Sequence, residues 1–253
     1  MAMLTRDGVN LYYEVHGRGP AILLTHGYSA TSEMWKPQIG ALSKDHTFIT
    51  WDMRGHGRSD YPDDETLYSE SATVADMAAI LDKAGVERAV IGGLSLGGYM
   101  SLAFHLASPR RVRALLIIDT GPGFKSDTAR EAWNAGVLDS AAKLESEGLA
   151  YLQQLSAERA TSTHRSAAGL ARAARGMLTQ RDARVISSLP DVKVPSLVVV
   201  GANDTAFLNA SAYMARKIPG ARKIVIADAG HAVNIDQPGA FNNAILEFLA
   251  PVD

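Results

Sequence analysis

Three residue types that together can activate a hydroxyl occur in this sequence as Ser95, Asp204 and His231. A serine hydroxyl is a weak nucleophile until a base removes its proton. An imidazole serves as that base when a third group fixes its tautomer and stabilises its charged form. Ser95 lies in Gly93-Leu94-Ser95-Leu96-Gly97, which fits G-x-S-x-G, a pattern that holds a serine on a sharp strand-to-helix turn. The apolar run Ala89-Val90-Ile91 precedes it and Tyr99-Met100-Ser101-Leu102-Ala103-Phe104 follows it, as a strand and a buried helix would. The glycines two residues either side leave room for a neighbouring strand and helix to approach. By itself such a turn is also a plain connection or a phosphate cradle, so the reading depends on partners elsewhere in the chain.

The best base is His231, in Ala229-Gly230-His231-Ala232, just past the last predicted strand. The best acid is Asp204, in Gly201-Ala202-Asn203-Asp204, just past the strand before it. Asp204 could instead cap the helix that follows, and Asp119 also ends a strand and is the rival acid. Acyl transfer further needs two aimed N–H donors for the developing oxyanion. The expected donors are the backbone amides of Leu96, directly after the serine, and Tyr28, directly after His26-Gly27. His26 reads as a residue that holds its loop rather than as a second base. Met53, Arg54, His56 and Arg58 read as a buttress beneath the site. His105 is expected to be buried and hydrogen-bonded, while His16, His46 and His164 lie in strand-end or loop contexts with no evident role.

The elements that must position these residues alternate between strand and helix. Leu11–His16 reads as a strand, paired as a hairpin with the segment before Asp7-Gly8. Ala21–Thr25, Thr47–Trp51, Ala89–Ile91, Arg113–Asp119, Val194–Val200 and Arg222–Ile226 read as further strands. Helices are expected around Trp35, Ile39 and Leu42 with Ser32 as cap, between Ser69 and Gly85, after Asn209, and through Phe241, Ile245, Phe248 and Leu249. From 121 to 188 no strand is evident. Leu149, Leu152 and Leu155 form one helical stripe there, and Leu170, Ala174 and Met177 another. This segment reads as a helical cap inserted into a core made of 1–120 and 189–253, a single structural unit with an α/β architecture.

Bulk properties narrow the function. The chain has 253 residues, 47% of them hydrophobic and 21% charged, so it can bury a sizeable core without covalent staples. The formal charge of −2 carries no footprint of nucleic-acid or anionic-membrane binding. With no cysteine, disulfides and thiolate metal sites are excluded. No apolar run has signal-peptide or membrane-spanning length, which makes the cytoplasm the default compartment and a monomer or homodimer the default state.

The motifs together resemble those of α/β-hydrolase-fold serine hydrolases. His26-Gly27, Asp52-x-Arg54-Gly-x-Gly57-x-Ser59, Gly93-x-Ser95-x-Gly97-Gly98 and Gly230-His231 stand where that family has them, and the resemblance runs from about Leu11 to Leu249. The order Ser95, Asp204, His231 is similar to the family's chain order. The resemblance implies a mostly parallel central sheet with helices on both faces and an inserted helical cap. It also implies a cofactor-free and metal-free acyl-transfer cycle on a small ester or lactone. Gly92 to Gly98 looks closest to the enol-lactonase and small carboxylesterase branches. Epoxide hydrolases and haloalkane dehalogenases of this fold carry aspartate where Ser95 stands, and carbon–carbon hydrolases carry a more Gly-rich loop than His26-Gly27-Tyr28-Ser29. A ligand receptor or non-enzymatic member, a cofactor-free perhydrolase and a carbon–carbon bond hydrolase use the same fold and remain alternatives. Trp133 and Tyr151 are expected to face substrate from the cap, giving an apolar pocket for short to medium uncharged acyl groups. The cap arginines 159, 165, 172, 175, 181 and 184 read mainly as a solvated face, with one or two able to meet a substrate carboxylate.

Overall fold

The computed structural model describes residues 2–154, 159 and 162–252. The sequence first makes a hairpin, β1 (Ala2–Arg6) and β2 (Val9–His16), turned at Asp7 and Gly8, which both have positive φ (52° and 74°). Then come β3 (Ala21–Thr25), α1 (Lys36–Leu42), β4 (Thr47–Trp51), α2 (Glu70–Lys83), β5 (Ala89–Leu94), α3 (Leu96–Ala107) and β6 (Val112–Ile118). Next are α4 (Asp127–Glu147), α5 (Ala167–Ala173) and α6 (Arg184–Ser188). The chain finishes with β7 (Ser196–Gly201), α7 (Thr205–Lys217), β8 (Arg222–Ile226), α8 (Val233–Asp236) and α9 (Pro238–Leu249). The strands form one 8-stranded sheet in the order β1-β2-β4-β3-β5-β6-β7-β8. β2 runs antiparallel to both its neighbours and every other pairing is parallel.

Residue alternation along the strands divides the core into two layers. In β3, Leu23 packs with Met77, Ile80, Met100 and Phe104 of α2 and α3. Its neighbours Ile22 and Leu24 face the opposite side, with Trp35, Leu42, Phe241 and Phe248 around α1 and α9. Strands covered on both faces need continuous apolar runs, which is why β3 and β5 are buried at every position. α2 begins where the Ser69 hydroxyl accepts the Ala72 N–H at 3.0 Å and ends before Gly85 at φ 70°.

Two helices differ from expectation. The segment after Thr31 opens as a 3₁₀ turn, Ser32–Trp35, and Ser32 lies inside it rather than capping it. The cause is a distant carboxylate, since Ser32 N–H donates to Asp52 Oδ1 at 2.7 Å. Pro37 then falls at the start of α1, where an N–H is not needed. Leu149 and Leu152 lie in 3₁₀ turns over Gly148–Gln154 instead of an α-helix. Their three-residue spacing places them on one side of a 3₁₀ helix. Leu155 lies outside the described residues. The stripe Leu170, Ala174 and Met177 is buried, with α5 continuing as a π turn over Ala174–Leu178. Buried residues of the 121–188 segment, among them Val137, Leu144, Leu170 and Val185, join the same core cluster as the α2–α3 face of the sheet.

Beneath the sheet's carboxyl ends, the loops after β3 and β4 are joined by a buried polar network. Asp52 accepts from Ser32 N and Arg58 N at 2.7 and 2.8 Å. The buried Arg54 guanidinium forks onto buried Asp76 of α2 at 2.6 and 2.7 Å. His26, His56 and His164 stack in a line, with ring centroids 5.0 and 5.8 Å apart. His26 Nε2 accepts the Met53 N–H, His56 Nε2 accepts the Ser29 N–H, and His164 Nδ1 accepts the Gly57 N–H. Their other nitrogens sit 2.7 to 3.0 Å from the carbonyl oxygens of Gly27, Arg54 and Ser29, and therefore donate. Each ring is thus neutral with its tautomer dictated by backbone. His164, which carried no role in the sequence, docks the 121–188 segment onto the loop after β3.

Two tests follow from this packing. A methyl carbon on Gly97 would sit 2.1 Å from Thr25 O and 2.6 Å from Thr25 C, both backbone atoms. Gly97→Ala is expected to cost at least about 3 kcal/mol in urea unfolding. Gly40→Ala, with nothing within 4 Å in α1, should instead add about 0.5–1 kcal/mol.

The histidine line predicts a pH dependence. Burial depresses all three imidazoles, His26 from 6.5 to about 4. Below pH 6.5 the unfolded chain therefore binds protons that the folded chain refuses, so stability falls as pH drops from 6.5 toward 4. His26 alone accounts for ~3 kcal/mol across that window. Unfolding curves between pH 7.5 and 4.5 measure it. His56→Gln keeps one acceptor and one donor but cannot titrate, so it should flatten the profile; an unchanged slope would refute the neutral assignment.

Candidate active site

Ser95 occupies the single residue between β5 and α3, at φ 55° and ψ −117°. That positive φ is strained for a residue with a side chain, at a cost of about 1–3 kcal/mol. Surrounding bonds hold it: Ser95 N–H donates to Ile118 O at 2.9 Å, and Thr120 Oγ1 donates to Ser95 O at 2.6 Å. Gly93 and Gly97 bring α3 against the end of β3, where hypothetical Cβ atoms would lie 2.5 and 2.1 Å from Thr25 O. The hydroxyl side of Ser95 is thereby turned into a cavity of about 570 Å³ at the carboxyl ends of the parallel strands.

His231 reaches the same cavity from the loop between β8 and α8. Its Nδ1 lies 2.8 Å from Asp204 Oδ2, and the Phe207 ring stacks on it at 5.1 Å. Asp204 stands at the N-cap position of α7 yet makes no side-chain capping bond there. Its carboxylate is directed to the imidazole. The bond to Nδ1 leaves Nε2 as the nitrogen available to the cavity. Among the described residues no hydrogen bond joins Ser95 Oγ to His231.

The rival acid Asp119 sits behind this pair. It is fully buried with φ 41°, and its Oδ1 accepts the Gly201 N–H at 2.8 Å. Its Oδ2 is buried and, among the described residues, makes no hydrogen bond. Burial first, and the neighbouring Asp204 carboxyl in addition, push Asp119 well above the ordinary carboxylate value of 3.8. The two strand-end acids thus occupy different environments: Asp204 faces the imidazole and Asp119 faces Asp204.

Tyr28 and Leu96 both line the cavity beside Ser95. A methyl carbon on Gly27 would lie 3.4 Å from Ser95 Cβ, so the loop after β3 abuts the serine. Among the described residues, neither the Tyr28 nor the Leu96 amide donates to a protein acceptor. Trp133 and Tyr151 line the far wall with Phe124, Leu144, Leu152 and Leu178. Trp133 Nε1 donates to Leu178 O at 3.0 Å, so its indole offers the cavity an apolar face.

Several lining residues were not singled out in the sequence. Phe207 is one turn beyond Asp204 on α7, a position that aromatic character alone does not mark. Gln180 lines the cavity because its backbone is clamped by Asn134, whose amide bonds Gln180 N and O at 2.8 Å. Arg159, one of the arginines the sequence did single out, also lines it. His105 is buried as expected, but among the described residues its ring makes no hydrogen bond, and burial lowers its pKa. His16 pairs with Glu14 at 2.9 Å on β2. Among the described residues no helix is long and apolar enough to cross a membrane.

Known proteins share this arrangement of elements. The chain is 30% identical to a protein named for carbamate hydrolysis in Azorhizobium caulinodans, across 96% of each. It is 28% identical to 3-oxoadipate enol-lactonase 1 of Acinetobacter baylyi, covering 93% of this chain and 91% of that one. A thermophilic esterase from Thermogutta terrifontis, solved with malate bound, superposes with a TM-score of 0.82 at 29% identity, covering 99% and 97%. The sequence model of the alpha/beta hydrolase family matches residues 22–244, which takes in the turn at Ser95, the acid at Asp204 and the loop of His231. The chain belongs to the alpha/beta hydrolase family.

Proposed function

We propose that this protein is a serine hydrolase that cleaves carboxylic ester or lactone bonds of small, mainly apolar substrates through an acyl-enzyme. The observation that carries the reading is the convergence on one cavity of a strained Ser95 and a His231 whose Nδ1 is engaged by Asp204. Few structural roles need a serine in that backbone conformation, and the imidazole is left with its Nε2 lone pair toward the cavity. The relatives named for enol-lactone, ester and carbamate hydrolysis support the same class of chemistry.

In the proposed cycle His231 Nε2 takes the Ser95 proton as Oγ bonds to the substrate carbonyl carbon. The carbonyl oxygen becomes an oxyanion and accepts from the amides of Tyr28 and Leu96. The scissile C–O bond then breaks, and His231 returns the proton to the departing alcohol oxygen. Water then adds to the acyl carbon as His231 takes one of its protons; that proton passes to Ser95 Oγ as the acyl–Oγ bond breaks, and the carboxylic acid leaves with the other. Asp204 holds the imidazole tautomer and stabilises the imidazolium, and Asp119 steadies Asp204 from behind. The ring faces of Trp133 and Tyr151 pack on the acyl group, each buried CH₂ contributing about 0.8 kcal/mol.

Kinetics on graded ethyl and p-nitrophenyl esters, together with labelling by a fluorophosphonate, test this. Ser95→Ala is expected to lower kcat by on the order of 10⁶ and abolish labelling while leaving the unfolding curve intact. Asp204→Asn should lower kcat by on the order of 10⁴, because the amide forces the wrong tautomer. Asp119→Asn keeps a neutral donor facing Asp204 and should cost far less. Labelling at another residue would sink the assignment of Ser95, and the reverse ranking of the two acids would place the catalytic carboxylate on β6. Tight ligand binding without turnover of any ester would favour a receptor.

A further inference from the structure

The arginines of the 121–188 segment have sharply different fates. Arg165 donates to Ser59 O at 2.5 Å and lies over the Tyr61 ring. Arg172 pairs with Asp63 at 2.9 Å, Arg175 forks onto Glu145 at 2.7 and 2.6 Å, and Arg184 pairs with Asp182 at 2.7 Å. Arg130 is bound to Asp127, and Arg181 is exposed away from the cavity. Arg159 alone lines the cavity, where it is half-buried and, among the described residues, has no hydrogen-bond or ion-pair partner through its guanidinium.

Among the described residues no aspartate or glutamate lines that cavity, so no carboxylate there neutralises the guanidinium. Three of the cavity's aromatic polar groups are spent elsewhere: Tyr28 Oη donates to Leu170 O, Tyr99 Oη to Glu70 Oε2, and Trp133 Nε1 to Leu178 O. Thr120 Oγ1 is spent on Ser95 O. A half-buried guanidinium in a cavity lined largely by apolar residues, Leu144 and Leu152 among them, gains from pairing with an anion. Its planar fork fits a carboxylate through two parallel hydrogen bonds. Its field already reaches the loop after β3, where it opposes the upward shift that burial imposes on the Tyr28 phenol.

We propose that Arg159 binds a carboxylate carried by the acyl part of the substrate, so that the site is selective for half-esters of dicarboxylic acids or carboxylated lactones over neutral esters. This rests on the reading of Ser95 as nucleophile in the same cavity. It replaces the expectation of an uncharged acyl group. The cavity's apolar wall then packs on the methylenes between the scissile carbonyl at Ser95 and the carboxylate at Arg159.

The test has a kinetic and a binding arm. Monoethyl adipate and ethyl hexanoate differ chiefly in the terminal carboxylate. The wild-type protein is expected to favour the former at least tenfold in kcat/KM. Arg159→Gln should bring that ratio to near unity, and Arg159→Lys should restore part of it by charge without the fork. Arg181→Gln, exposed and outside the cavity, should leave the ratio unchanged. In calorimetry the adipate dianion should bind the wild type at least tenfold more tightly than Arg159→Gln, with both proteins matched for melting temperature. An equal or neutral-favouring ratio in the wild type, or a ratio unmoved by Arg159→Gln, overturns the proposal. If neither ester is cleaved, the reading of Ser95 fails; the calorimetry then decides Arg159 by itself, and equal adipate affinity in the two proteins overturns it.

Discussion

The close approach of the first turn of α3 to the end of β3 is the constraint on which the site depends. Thr25 pairs with Gly93 across the β3–β5 ladder, and the Gly97 backbone is pressed against the Thr25 carbonyl. Nothing larger than hydrogen fits at either glycine. That contact forces Ser95 into positive φ and turns its side chain off the sheet. It also puts the free N–H of Leu96, at the head of α3, beside the loop that carries Tyr28. A single steric condition therefore sets the position of Ser95, the two unpaired amides and the cavity floor together, and the strain at Ser95 is offset by the packing of α3 on both flanking strands.

Such a turn is only as exact as the loops around it, and these are held by polar groups taken out of water. The line His26, His56 and His164 uses every ring nitrogen to satisfy a backbone group. Arg54 with Asp76, and Asp52 with the amides of Ser32 and Arg58, do the same for charges. Buried polar groups of this kind rigidify when fully paired and are destabilising when not. The arrangement explains why the loop after β4 is polar although it is almost wholly buried. It also couples the 121–188 segment to the loop after β3, because His164 bridges Gly57 and Ser29.

Around the strained serine, charge is distributed with economy. One acid, Asp204, faces the imidazole. The second, Asp119, is fully buried, and burial together with the neighbouring Asp204 carboxyl pushes its pKa up, which opposes placing two negative charges side by side. On the opposite side the cavity wall is mainly apolar, and among the described residues Arg159 is its one formally charged side chain. The hydroxyl and indole groups of Tyr28, Tyr99 and Trp133 point outward to protein acceptors, which leaves their ring faces inward. A substrate therefore meets directional polar groups at the reacting end and one cation elsewhere.

Much of this was legible in the chain itself. The runs Ala21–Thr25 and Ala89–Ile91, the spacing of Gly93, Ser95 and Gly97, and the cap and stop at Ser69 and Gly85 depend on backbone geometry within a few residues, and each appears where the sequence places it. The partner of Asp204 and the inward position of Tyr28, Trp133 and Tyr151 follow once the strands are in order, because each of those residues ends a strand or lines the segment over it. The tertiary structure alone decided the rest. Asp204 and Asp119 are locally alike, and only the packing of β6 against β7 separates them. Arg159 is chemically the same as Arg172 or Arg175, and only the distribution of carboxylates such as Asp63 and Glu145 shows which guanidinium is left facing the cavity. His164 joins Ser29 across 135 residues of sequence. Local pattern fixes what a residue's backbone does, whereas which of several equivalent side chains finds a partner is set by contacts between distant segments, and those exist only after the chain has folded.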